Sequence, residues 1–379
     1  MSTRSDTVAG SDPRPAENPE PAGGVPVPKP GRWATAVSTP IRRHLLLAAA
    51  ALVVIALVLE NTSTFRQSQL TSVAYLAIAA AGLTVLTGLS GQLSLGHGAF
   101  MAVGAYTAAL LLRGNDSAWS LPFAVLVAVL VSSLVGVVVG MAAARLHGPY
   151  LAGATLALAV AVPGLALYFS DQLGGEQGMI VPSPSVPPVI DDVMYFLTGN
   201  DLGSTKYLAY WSWAVLLVVF VLLANLSAGR IGRRWRAVRD DEVAAEIAGI
   251  DLGRARILAF VISAACAGAG GALMAMASRI VAPSGFTLTL SLTLLSAIVI
   301  GGLGTLSGAL IGAALLTYIP PVVTNLGLNA GLSSLQAAEL APLVTGVFTV
   351  VVILFAPLGL IGSYRSWSAS RRLRDKGVK

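Results

Sequence analysis

GRIGRRWRAVRDDEVAAEIAGIDLGRARILAF, residues 229–260, lies between long apolar segments that carry almost no charge. The stretch is short, strongly charged and built like one docked helix. It therefore reads as the place where a membrane protein meets a soluble partner. Working outward from it, composition sets the class. Of 379 residues, 55% are hydrophobic and 11% charged, with a mean hydropathy of +0.77, whereas soluble domains carry roughly 25% charged residues. This is an all-α, polytopic membrane protein. At about 20 residues per span the chain holds eight to ten helices and no sizeable soluble domain. Its one cysteine, Cys266, falls in an apolar run, which excludes an intrachain disulfide or a cysteine-rich metal site.

Residues 1–40 are rich in Pro, Gly, Ser and charge, cannot bury enough apolar surface to offset their ordering entropy, and are expected to be a disordered cytoplasmic tail. A cleavable signal is not expected, because the first apolar core begins only near His44. Arg32, Arg42 and Arg43 ahead of that core place the amino terminus in the cytoplasm. Further apolar segments follow at about 70–89, 93–112, 121–144, 150–169 and 207–226. Six crossings return the chain to its starting side, and charge agrees. The connection after Phe169 holds Asp171, Glu176, Asp191, Asp192 and Asp201 against Lys206 alone, as befits the outside. The insert carries seven arginines between 230 and 256, and the tail adds Arg365, Arg371, Arg372, Arg374, Lys376 and Lys379; both belong inside. Four more segments, 255–277, 286–300, 306–319 and about 340–360, keep the carboxyl terminus cytoplasmic. The middle two meet at Gly301, Gly302 and Gly304 and also fit a re-entrant pair or one bent helix, so ten spans are expected with eight as the alternative. The divisions are thus a tail at 1–40, a transmembrane domain at 41–364 with a cytoplasmic loop at 228–254, and a basic tail at 365–379.

Glycine interrupts the second and third segments. In TGLSGQLSLGHGAFMAVGAY, Gly88, Gly91, Gly96, Gly98 and Gly104 sit beside Ser90, Gln92, Ser94 and His97. Broken backbone at membrane depth is tolerated only inside protein or along a watery cavity, and small residues let helices approach closely. Two readings fit: a broken helix lining a translocation path, or tight helix packing. His97, an ionisable group near the start of a span, is either a functional residue or an interfacial one. His44 and His147 have no companion ligands, so no metal is expected. A second cluster, IGGLGTLSGALIGAALL at 300–316, shares the rhythm and hints at an internal repeat.

In the insert, Arg239, Asp240, Asp241 and Glu242 precede Val243–Ala248, with Gly249 as terminator; acids suit a helix amino end and glycine its carboxyl end. Val243, Ile247 and Ile250 form one stripe, with Glu242 and Glu246 on another face. So short a helix needs something to lie against. A bilayer surface would bind the arginines but repel Asp240–Glu242, which favours a protein partner. Phosphate-loop, dinucleotide-binding, HExxH and GxSxG motifs are missing, as are paired intramembrane carboxylates. The expected protein is not an enzyme, has no cofactor, and takes its energy from another subunit. Its charge of +6 is explained by loops and tails and implies no nucleic acid.

Three stretches carry a resemblance: GLSGQLSLGHGAFMAVGAY (88–106), RAVRDDEVAAEIAGIDLGRARILAFVISAACAGAGGAL (236–273) and IVIGGLGTLSGALIGAALL (298–316). They closely resemble the LivM-type membrane subunits of ABC importers for branched-chain amino acids, in family order, over residues 41–362 or so. The resemblance implies a multi-pass permease of the plasma membrane. Its partners would be a second, LivH-like permease, two cytoplasmic ATPases, an extracytoplasmic binding protein and membrane lipid. The 236–250 segment would be the coupling helix, its ATPase contacts drawn from Arg236, Arg239, Asp240, Asp241, Glu242, Ala244, Ala245, Glu246, Gly249 and Ile250. Ala244, Ala245 and Gly249 match the Glu-Ala-Ala…Gly pattern of importer permeases, but Val243 stands at the glutamate position and Glu242 one place early. Hydrogen-bonding and small residues for a path are Ser90, Gly91, Gln92, Ser94, His97, Gly98, Thr155 and Ser263. LivM-like permeases also resemble those of urea and short-chain amide importers. A self-sufficient ion-coupled carrier or channel is the reading from a different class.

Overall fold

The small residues of 252–278 place that helix at the centre of the bundle. In the structure, a computed structural model that describes residues 40–114, 120–146, 148–356 and 359–363, helix α11 (Leu252–Ser278) is packed by three others. The chain reaches it through α1 (Pro40–Glu60), α2 (Thr64–Leu83, continued by a π-helical turn Thr84–Leu89), α3 (His97–Leu112), α4 (Ser120–Ala143) and α5 (Pro149–Tyr168). There follow α6 (Ser170–Leu173), β1 (Met179–Ile180), α7 (Pro188–Thr198), α8 (Ser204–Ala228), α9 (Arg230–Asp240) and α10 (Glu242–Ile247). After α11 come β2 (Ile280–Val281), α12 (Leu288–Gly301), α13 (Leu306–Asn329) and α14 (Ser334–Phe355).

A Cβ on Gly268 would lie 2.5 Å from Ser132 Cβ of α4, one on Gly104 of α3 would lie 2.5 Å from Gly268 Cα, and one on Gly270 would lie 2.7 Å from Tyr75 O of α2. Backbones this close gain dispersion contact along their whole length, which is what holds helices together where lipid is as apolar as leucine. Gly136 meets Ala264 while Ser132 meets Gly268, so α4 runs antiparallel to α11. The buried share separates the inner helices from the lipid-facing ones: 78% for α2 with its π turn and 67% for α11, against 22% for α5.

Among the described residues, eight helices are long and apolar enough to span a membrane, and two shorter apolar ones, His44–Glu60 and His97–Leu112, make ten. The expected segments therefore exist, with shifted edges. The second begins at Thr64 rather than residue 70, and the third at His97 rather than 93, because 90–96 is not helical. The segment expected at 306–319 continues to Asn329 through Pro320 and Pro321. A proline costs a helix one hydrogen bond without forcing φ out of the helical range, and neighbouring helices in a bundle tolerate that loss. The 300–304 glycines are the turn of an antiparallel hairpin of two separate helices: Gly301 meets Gly308 and Gly312 meets Ala297.

The connections sort onto two faces. On one, β1 pairs antiparallel with β2 (Met179 opposite Val281), and Lys206 Nζ lies 2.5 Å from Glu60 Oε2 while Tyr210 donates to Glu60 Oε1 at 2.7 Å. The lone base of the acidic connection thus ties the end of α1 to the start of α8. The opposite face carries the 229–251 insert. The tails at 1–39 and 364–379, with their basic residues, and His147 lie outside the described residues.

Candidate functional site

The insert folds as two helices, which corrects the single docked helix expected over 239–249. Arg239 and Asp240 close α9, and Asp241 turns the chain (φ −159°, ψ 111°) into α10. In α9 an apolar stripe of Ile231, Trp235 and Val238 runs through the arginines; Trp235 and Val238 are buried, and Trp235 Nε1 donates to Ala255 O at 2.9 Å. That i, i+4, i+7 spacing is visible in the sequence and marks α9 as a helix with its own buried face. Arg236 Nη1 donates to Ser227 O at 3.1 Å, fixing the corner between α8 and α9.

Helix α10 is closed at both ends. Asp241 Oδ1 accepts from Ala244 N at 3.0 Å. At the other end Ile250 N donates to Ala245 O and Gly249 N to Glu246 O, at 3.0 and 2.9 Å, the two crossed bonds of a Schellman ending. Gly249 has φ +80° and no atom near where a Cβ would sit, so its role is conformational and not one of packing. Ala245 is buried, as is part of Ile250, but Val243 and Ile247 are 68% and 84% exposed. The expected stripe thus divides: one member faces its own bundle and two face outward. Glu242 Oε1 lies 2.6 Å from Arg256 Nη2, whose side chain is 6% exposed, while Ala244 and Glu246 are exposed. Losing an N-cap costs about 1 kcal/mol. An Asp241→Ala chain is therefore expected to exchange the amides of 243–249 roughly fivefold faster than wild type without loss of overall stability; unchanged exchange there would contradict the cap.

Above the insert, the three motif stretches meet. Arg239 Nη1 donates to Gly88 O at 2.7 Å, and its stem covers Gly91, where a Cβ would lie 2.8 Å from Arg239 Cγ and where φ is +75°. A Cβ on Gly88 would lie 2.6 Å from Gly304 Cα. One residue from each stretch, Gly88, Arg239 and Gly304, thus joins the glycine break, the insert and the α12–α13 hairpin.

The path candidates lie around the irregular 90–96 segment, and all but Gly91, which is exposed, are buried. Gln92 Nε2 donates to Ser90 Oγ at 2.7 Å, and Leu95 N donates to Thr155 Oγ1 at 3.0 Å. His97 is fully buried rather than interfacial: its Nε2 bonds Ala79 O at 2.9 Å, and Ser263 Oγ is 3.5 Å from Nδ1. Gly98 N donates to Ser291 Oγ at 2.9 Å; Ser291, which the sequence reading omitted, lies 193 residues away along the chain. Ser90, Gln92, Ser94, Thr155 and Ser263 are all buried. Gln92 Oε1 and Ser94 Oγ meet no hydrogen-bond partner among the described residues, and leaving such a group unsatisfied costs about 1–3 kcal/mol. Among the described residues no three His, Cys, Asp or Glu side chains come together.

Residues 66–357 match the family described as branched-chain amino acid transport system / permease component. The chain is 32% identical to the high-affinity branched-chain amino acid transport system permease protein LivM of Escherichia coli K12, over 74% of this chain and 66% of that protein. LivM of Salmonella typhimurium gives the same identity and coverage, so the match spans slightly under two thirds of these relatives' own length. LivH of Escherichia coli K12 is 26% identical over 76% of this chain and 91% of its own. No solved structure matches. The three converging motifs and the match across the bundle have one reading: this chain is a member of the branched-chain amino acid transport system permease family.

Proposed function

We propose that this chain is the LivM-type permease subunit of an ATP-driven importer for leucine, isoleucine and valine. It pairs with a LivH-like permease, receives substrate from an extracytoplasmic binding protein, and is driven by two cytoplasmic ATPases. The observation that carries this reading is the geometry of α10. A short helix capped at both ends by Asp241 and Gly249 turns two large apolar side chains, Val243 and Ile247, away from its own bundle. Exposed aliphatic side chains flanked by Glu242 and Glu246 suit a protein groove better than anionic lipid. Arg239, at the end of α9 just before α10, bonds the glycine break at Gly88, so a push on the insert reaches Ser90, Gln92 and Ser94, whose polar atoms fit a zwitterion's path. The insert, both tails and the plasma-membrane cytoplasm share one side in this reading, by the arginine bias.

Labelled leucine uptake in cells with and without this gene tests it. Deletion is expected to abolish high-affinity leucine uptake, and excess valine or isoleucine to compete in the wild type. Intact leucine uptake with lost urea or amide uptake would move the substrate. Uptake that follows an ion gradient and not ATP would overturn the importer.

A further inference from the structure

A cationic pocket and an apolar groove lie on one stripe of α11. The pocket, about 260 Å³, is lined by Arg234 and Trp235 of α9, Asp251, and Arg254, Ala255 and Leu258 of α11. The groove, about 320 Å³, is walled by Val219, Leu222 and Leu223 of α8 and by Ile262, Cys266 and Ala269 of α11. Positions 255, 258, 262, 266 and 269 recur every three or four residues and so share one helix face. The groove exists because α8 packs chiefly on α1 and α2 and touches α11 only sparsely, and because α11 offers small side chains there. Leu222 of the groove and Leu258 of the pocket, 63% and 37% exposed, leave the stripe open to the bilayer.

We propose that this stripe holds one anionic phospholipid, with its phosphate between Arg234 and Arg254 and an acyl chain in the groove. The dimensions agree. Eleven residues separate Leu258 from Ala269, about 16 Å of helix, and the hydrocarbon of one leaflet is about 15 Å deep. Charge agrees as well. Asp251 caps α11 by accepting from Arg254 N and lies 3.1 Å from Arg254 Nε, so the pocket carries two guanidinium groups against one carboxylate. That surplus positive charge at headgroup depth selects an anionic head over a zwitterionic one. The site rests on the membrane embedding of the family and on neither the substrate nor the ATPase coupling proposed above, so those readings and this one fail separately.

The test uses the assembled transporter in nanodiscs of phosphatidylcholine with a minority of phosphatidylglycerol, followed by detergent extraction and counting of retained lipid by native mass spectrometry. Wild type is expected to retain phosphatidylglycerol at about one per chain. Arg234→Gln with Arg254→Gln should lower retention about tenfold or more. Arg230→Gln with Arg233→Gln removes equal charge outside the pocket and should behave as wild type. Equal loss in both pairs, or equal retention of phosphatidylcholine, would overturn the site. So would wild-type retention in the Arg234 and Arg254 pair, which would take the phosphate away from the pocket.

Discussion

A Gly104→Val chain is expected not to accumulate as a folded protein, whereas Gly164→Val accumulates as wild type does. Both glycines lie in apolar helices, and composition does not tell them apart. At Gly104 an added Cβ would lie 2.5 Å from Gly268 Cα, with the backbone of α11 as the obstacle. At Gly164 nothing lies within 4 Å of it. Overpacking a close contact costs about 1–3 kcal/mol when side chains can rotate away; a backbone has no rotamer to offer, so α3 and α11 must separate. Their separation takes with it the Ser132 hydroxyl, which donates to Phe100 O at 3.3 Å. The measurement is the monodisperse fraction in detergent and its thermal midpoint. Equal yield and midpoint for the two variants would refute the close approach of these helices.

The second large effect concerns the tether of the exposed helix. Glu242→Lys sets an ammonium against the Arg256 guanidinium in place of a contact of 2.6 Å. Breaking a buried pair costs about 3–5 kcal/mol and an exposed one at most about 1. Glu242 is 48% exposed and Arg256 6%, so about 2 kcal/mol is the proper scale, a roughly 30-fold loss of the docked orientation of α10. On the importer reading proposed above, this variant, reconstituted with its ATPases, should insert normally, keep basal ATP hydrolysis and lose transport. Arg256→Glu added to Glu242→Lys restores the attraction with the signs exchanged. It should recover part of the transport, not all, because Arg256 Nη1 also reaches Ala144 O at 3.4 Å. Full transport in Glu242→Lys alone would remove the pair from the coupling route.

Much of this was legible in the sequence, for reasons that are local. Hydropathy located the apolar helices because moving a side chain from water to lipid depends on that side chain alone. The carboxyl end of α10 was legible because Gly249 acts on backbone groups within a few residues of itself. The glycine-rich stretch at 88–106 signalled a break, since so many glycines weaken a helix wherever it lies.

Other features had no local signature. The chain bends at Asp241 because Trp235 is pulled onto Ala255 O and Glu242 onto Arg256, and no property of residues 239–249 taken alone selects two helices over one. Its place at the start of a span leaves His97 either functional or interfacial, and only the packing of α2 and α11 shows it completely buried. The segment expected at 306–319 runs ten residues further, because the packed hairpin carries α13 through Pro320 and Pro321. Sequence by itself determined the class, the approximate spans and the glycine that ends α10, all of which follow from transfer energies and φ preferences of single residues. Tertiary structure alone decided that Gly88, Arg239 and Gly304 meet, across 151 residues in the case of the Gly88–Arg239 bond. A contact between backbones depends on which helices are neighbours, and that is settled by the fit of the whole bundle and not by any one stretch within it.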